Sequence, residues 1–161
     1  MKGIKVKADW KKLLLCLGIP LAIGGLSALI SGGGMADYRA LNQPPLSPPG
    51  WVFPVVWTIL YLLMGYASYR IIVSDADPQE KKKALTAYSA QLFLNFLWSI
   101  VFFGLEWRLA AFCLLIALWA LIYLTIKRFS AIDEKAGDLL LPYILWVTFA
   151  GYLNLGAYLL N

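Results

Sequence analysis

The sequence has no histidine, only two cysteines and few charges, with 14 Lys and Arg and 9 Asp and Glu in 161 residues. Without histidine the chain lacks the commonest metal ligand, the usual general base and the usual axial ligand of haem. Ser-His-Asp and Cys-His catalysis are excluded within it. Cys16 and Cys113 both lie inside apolar runs, where a thiol reads as a small buried hydrophobe and not as half of a disulfide framework. Charged residues make up 14% of the chain, against roughly 25% in an average soluble domain.

Apolar residues are abundant instead. The chain is 61% hydrophobic, with a mean hydropathy of +0.70. A soluble fold of this size could not hide that much apolar surface, because small domains keep too much of their surface wet. The composition predicts an all-α integral membrane protein, one five-helix transmembrane domain over residues 1–161. Crossing about 30 Å of hydrocarbon takes about 20 helical residues. Five apolar segments qualify, at about 13–30, 51–73, 85–105, 110–126 and 139–160. They contain no Lys, Arg, Asp or Glu except Arg70, which can snorkel near a span end. Barrel strands would alternate in polarity over about ten residues, and that pattern is absent.

Twelve of the Lys and Arg residues fall on one side of this alternating layout: Lys2, Lys5, Lys7, Lys11, Lys12, Arg70, Lys81, Lys82, Lys83, Lys127, Arg128 and Lys135. Arg39 and Arg108 fall on the other. The positive-inside bias predicts a cytoplasmic N-terminus, with the first connector and the C-terminus outside. The basic residues therefore read as topology signals, and no basic stripe implies nucleic acid. The first span has the basic start of a secretory signal, but its apolar run is too long for a signal core, so it reads as a retained helix.

The spans offer no buried charge for a proton or sodium relay. They offer rings and neutral polar groups at helical spacing. Phe53, Trp57 and Tyr61 fall at i, i+4 and i+8, followed by Gly65; Gln91, Asn95 and Ser99 repeat that spacing beside Trp98; Tyr143, Trp146, Ala150 and Asn154 form a third stripe. The amides must face the interior, since an unpaired amide is costly in hydrocarbon. They serve either as interhelical glue or as site donors. Trp10, Trp51 and Trp107 read as an interfacial belt, whereas Trp57 and Trp146 lie two turns inside, as core packing or as a pocket. Converging stripes would line an apolar slot for a large flat molecule, with indole N–H groups as donors. The connector 31–50 carries Pro44, Pro45, Pro48 and Pro49 and is either a lid or a stiff linker. Gly18 with Ala22, Gly24 with Ala28, and Ala87 with Gln91 are small or polar faces that suit close helix contact, within the chain or in a homodimer.

The run Pro48-Pro49-Gly50-Trp51-Val52-Phe53-Pro54-Val55-Val56-Trp57-Thr58-Ile59-Leu60-Tyr61, with Met64-Gly65, resembles the signature of the translocator protein family, also called tryptophan-rich sensory proteins or peripheral benzodiazepine receptors. Asp37-Tyr38-Arg39-Ala40-Leu41, the segment Gln91 to Ser99, and the segments Leu141 to Trp146 and Phe149 to Asn154 are similar to further family patterns. The resemblance implies a five-helix bundle, often homodimeric, with a cavity under the first loop. It implies ligands such as protoporphyrin IX, haem, sterols and benzodiazepine-type compounds, and no covalent cofactor. By position, Trp57 and Trp146 match tryptophans linked to porphyrin binding and light-dependent porphyrin breakdown. Phe53, Tyr61, Asn95, Trp98, Ser99 and Ala150 match other pocket positions, Tyr143 shares the stripe of Trp146, and Tyr38 matches a tyrosine that closes over the site. Two positions depart from the pattern, Asp37 where many members have Trp and Leu46 where many have an aromatic residue. The terminal Leu155 to Asn161 has the Leu and Tyr of a cholesterol-recognition stretch but no Lys or Arg, which weighs against sterol binding and suggests a bacterial member of the cytoplasmic membrane. Three functions follow as expectations: a porphyrin-binding receptor, a photo-oxidative porphyrin-degrading enzyme using Trp57 and Trp146, and a passive carrier of tetrapyrroles or sterols.

Overall fold

A computed structural model of the chain describes residues 8–32 and 34–161; Lys2, Lys5 and Lys7 of the basic N-terminal segment lie outside the described residues. Five helices are long and apolar enough to cross a bilayer: Trp10–Ser31, Val52–Ile72, Pro78–Gly104, Arg108–Ile132 and Glu134–Leu159. Among the described residues there is no strand. The elements are α1 (Trp10–Ser31), α2 (Gly34–Ala40), α3 (Val52–Ile72), α4 (Pro78–Ser99) running into a π turn (Ile100–Gly104), α5 (Arg108–Ile132), α6 (Glu134–Asp138) and α7 (Leu141–Leu159). The five-helix membrane bundle is thus as the composition predicts.

Where the elements differ from the sequence reading, the causes are local. α4 starts at Pro78, seven residues before the apolar run, because Asp77 caps it: the Gln79 and Glu80 amides donate to its carboxylate at 2.9 and 3.2 Å. Pro78 supplies the preset φ of a first helical residue. α5 runs past Lys127 and Arg128 to Ile132, since a helix need not stop where the hydrocarbon does. The connector expected at 31–50 contains the short helix α2, which is held by burial of Tyr38 and not by propensity. Arg70 does not snorkel freely. Its Nε donates to Asp133 Oδ2 at 2.6 Å, and both side chains are largely buried, tying the end of α3 to the α5–α6 corner.

In the bundle α1 packs on α3 and α4, α4 on α5, and α5 on α7. α3 and α7 are neighbours through ring side chains and not through close backbones: Phe53 meets Trp146 at 6.0 Å and Trp57 meets Tyr143 at 6.2 Å. The α1–α3 crossing is a close approach of two backbones. A Cβ on Gly65 would stand 2.5 Å from the Cys16 carbonyl oxygen and 2.8 Å from Leu17 Cα. Backbone cannot yield as a flexible side chain can, so Gly65→Ala forces α1 off α3. We expect it to cost about 1–3 kcal/mol, read as a lower thermal midpoint in detergent micelles. Gly18→Ala, with open space around its Cβ position, leaves the midpoint unchanged.

Candidate functional site

The three-ring stripe of α3 and the polar stripe of α4 border a cavity of about 510 Å³. α1 forms its third wall with Gly24, Gly25 and Ala28, and Arg39, Gly50 and Trp51 form its rim. Six of the predicted site residues line it: Phe53, Trp57, Tyr61, Asn95, Trp98 and Ser99. Trp57 is the central ring. It stacks on Tyr61 at 5.6 Å and 29°, and leans on Trp98 at 6.1 Å. Such pairs hold each other's orientation and present a rigid apolar wall.

Below the rings the polar groups of three helices form one chain. Tyr61 Oη donates to Asn95 Oδ1 at 3.2 Å; Asn95 Nδ2 donates to Tyr143 Oη at 2.7 Å; Tyr143 Oη donates to Gln91 Oε1 at 2.7 Å. Gln91 Nε2 ends the chain near Met64 Sδ at 3.8 Å, a weak acceptor. A second link joins Trp98 Nε1 to Asn154 Oδ1 at 3.1 Å, and Asn154 Nδ2 to the Arg108 carbonyl at 2.8 Å. The buried amides are interhelical glue, and Asn95 also reaches the cavity wall.

The other four predicted residues lie behind that wall. Tyr38, Tyr143, Trp146 and Ala150 do not line the cavity. Tyr143 is the hub of the hydrogen-bond chain and touches Trp57 by its edge. Trp146 packs on Phe53 and Phe149, and its indole N–H is buried without an acceptor. Trp57 and Trp146 therefore do not face each other across one slot; Phe53 stands against Trp146 on that side. Tyr38 is packed among Phe53, Phe102 and Phe103 at 5.8, 5.6 and 6.0 Å, and burial pushes its phenol up. The π turn allows consecutive rings, Phe102 and Phe103, to reach the same tyrosine; its wider ring closes through Leu105 N–H to the Ile100 carbonyl at 2.9 Å.

Sequence reasoning did not assign the α1 wall, Phe103 or Arg39 to the site. Gly24 and Ala28 read as faces for helix contact; both line the cavity, and Gly24 lets the Tyr61 ring approach, since a Cβ there would overlap it. Nothing in a glycine signals a cavity.

The first loop is strapped to the end of α7. Tyr152 Oη donates to the Pro45 carbonyl at 2.7 Å, Asn42 N–H donates to Asn161 Oδ1 at 3.0 Å, and Asn161 Nδ2 returns a bond to the Asn42 carbonyl at 2.9 Å. Within the loop the Ser47 N–H donates to the Pro44 carbonyl at 3.3 Å, closing a turn with Leu46 at φ 67°, a conformation that favours glycine. Removal of the hub should be felt in the fold. Tyr143→Phe leaves Asn95 Nδ2 and Gln91 Oε1 unpaired, and we expect a loss of about 1–2 kcal/mol in micelle thermal unfolding. Tyr158→Phe, on an exposed ring, serves as the unaffected control.

These observations define a class: a five-span membrane protein with an aromatic cavity between its first three spans, and a proline-rich first loop tied to its last. Residues 16–159 match the model of the TspO/MBR family. The chain is 37% identical over 150 residues to "Tryptophan-rich protein TspO" of Chlorobaculum tepidum, covering 92% of this chain and 95% of that protein. It is 40% identical over 153 residues to "Tryptophan-rich sensory protein" of Cereibacter sphaeroides, covering 95% and 93%, and 35% identical over 132 residues to "Translocator protein" of Homo sapiens, covering 80% and 76%. The chain belongs to the TspO/MBR family, and with it goes a receptor-like role in the membrane.

Proposed function

We propose that the protein is a membrane receptor whose cavity binds porphyrins, protoporphyrin IX and haem among them, and other flat apolar molecules. One observation carries the reading: a single pocket places Trp57, Tyr61, Trp98 and Phe53 around about 510 Å³, within the usual range of about 300–1,000 Å³ for small-molecule sites. A flat conjugated guest would stack on Trp57, with Asn95 and Ser99 as the neutral polar contacts. No histidine or cysteine lines the cavity, so haem would be gripped by its faces. Family membership supports the reading, since relatives carry sensory and translocator names. Titration of purified protein with protoporphyrin IX, followed by tryptophan quenching and porphyrin absorbance, tests it. Saturable binding is expected, weakened about fivefold by Trp57→Phe through a lost ring contact worth about 1 kcal/mol. Trp119→Phe, on a half-exposed ring outside the cavity, leaves affinity unchanged. Absence of saturable binding to the unmodified protein overturns the reading.

We also propose a bacterial cytoplasmic membrane setting with the N-terminus inside. Support comes from the bundle ends: Lys11, Lys12, Arg70, Lys81, Lys82, Lys83, Lys127, Arg128 and Lys135 lie at or near one set of span ends, whereas Arg39 and Arg108 lie at the other. In a Cys16→Ala/Cys113→Ala background, Lys82→Cys should resist a membrane-impermeant maleimide in intact cells and react after lysis. Ala40→Cys should react in both. The reverse pattern inverts the topology.

A further inference from the structure

Among the side chains that line the cavity, only Arg39 is charged. It stands on α2 at the rim, and among the described residues no carboxylate pairs with it. The acid on the same short helix is Asp37, which forms no ion pair among the described residues, and the Glu106 carboxylate lies 3.9 Å from Arg108. The guanidinium rests against Gly50, where a Cβ would overlap its Nε and Nη2 atoms. Gly50 does not have a positive φ, so the glycine is needed there for the close approach and not for its backbone conformation. The rim thus holds a free cation against the wall of an otherwise neutral, apolar slot.

We propose that Arg39 selects the charge of the guest: the cavity takes flat apolar molecules that carry an anionic group, a carboxylate above all, on the edge facing α2. This deepens the receptor reading and rests on its aromatic cavity. A planar guanidinium fork matches a carboxylate in two parallel hydrogen bonds. At the edge of a low-dielectric slot that attraction is screened less than in water. The rings hold the body of the guest and the cation fixes which edge points outward, so Arg39 sets orientation as well as affinity.

The test compares acid and neutral forms of two unrelated flat probes, protoporphyrin IX with its dimethyl ester and 1-pyrenebutyrate with its methyl ester. Binding is followed by tryptophan quenching in micelles for the unmodified protein, Arg39→Gln and Gly50→Ala. The unmodified protein should prefer each acid over its ester by about five- to tenfold. Arg39→Gln should lower acid affinity to that of the ester and leave ester binding as it was, which also reports an intact cavity. Gly50→Ala, which keeps the charge but displaces the guanidinium, should lose much of the preference. Raised salt should narrow the gap in the unmodified protein only. Equal binding of acid and ester, or a preference that survives Arg39→Gln, overturns this inference and leaves the receptor reading in place. Acid selectivity for the pyrene pair without any porphyrin binding supports the role of Arg39 and overturns the porphyrin reading. Binding of neither pair overturns both.

Discussion

Hydrocarbon offers no hydrogen-bond partner, so each polar side chain inside the bundle must find one within the protein or cost several kcal/mol. Most of the buried architecture follows from that demand. Gln91 and Asn95 on α4 can be met only by groups from other helices, and Tyr61 of α3 and Tyr143 of α7 supply them. The chain of bonds fixes the rotation of three helices relative to one another. It also sets the direction of the rings one turn above it, because Tyr61 is both a bonded phenol and the stacking partner of Trp57. Cavity wall and structural core therefore share a residue, and the floor of the cavity is rigid for the same reason that the bundle is stable.

The space itself comes from unequal walls. α3 and α4 contribute large rings that brace one another, and they cannot collapse inward without breaking stacked pairs. The facing part of α1 contributes almost nothing in volume. Trp146 fills the opening between α3 and α7 from behind Phe53, which keeps the aromatic wall upright without entering the slot. The strap between the first loop and the end of α7 closes the assembly above, with each of its bonds made to a backbone carbonyl or amide.

Much of this was legible in the chain before any coordinates. The five spans follow from apolar run length alone, and their ends shift only where a cap such as Asp77 or a polar extension such as Lys127 to Ile132 prolongs a helix beyond the hydrocarbon. The period-four stripes on α3 and α4, with Trp98 beside the second, carry six residues that line one cavity: Phe53, Trp57, Tyr61, Asn95, Trp98 and Ser99. Tyr143, Trp146 and Ala150 show the limit of the method. Periodicity says which residues share a helix face, but not how far that face sits from its neighbour, and an intervening Phe53 is a tertiary fact. α2 was unreadable because its stability comes from burying Tyr38 among residues far along the chain. Arg39 was read as a marker of orientation because a lone cation at a span end is usually no more than that.

The thin wall has a consequence of its own. α1 buries only Cys16, Pro20 and Ser27 fully, and around Gly25 a whole methyl group could be added without touching anything. The same helix is pinned one residue away, since a Cβ on Gly24 would overlap the Tyr61 ring and one on Gly65 would stand 2.5 Å from the Cys16 carbonyl oxygen. Room at this side of the cavity thus comes from the small size of Gly25 and Ala28 and not from movement of the helix that carries them.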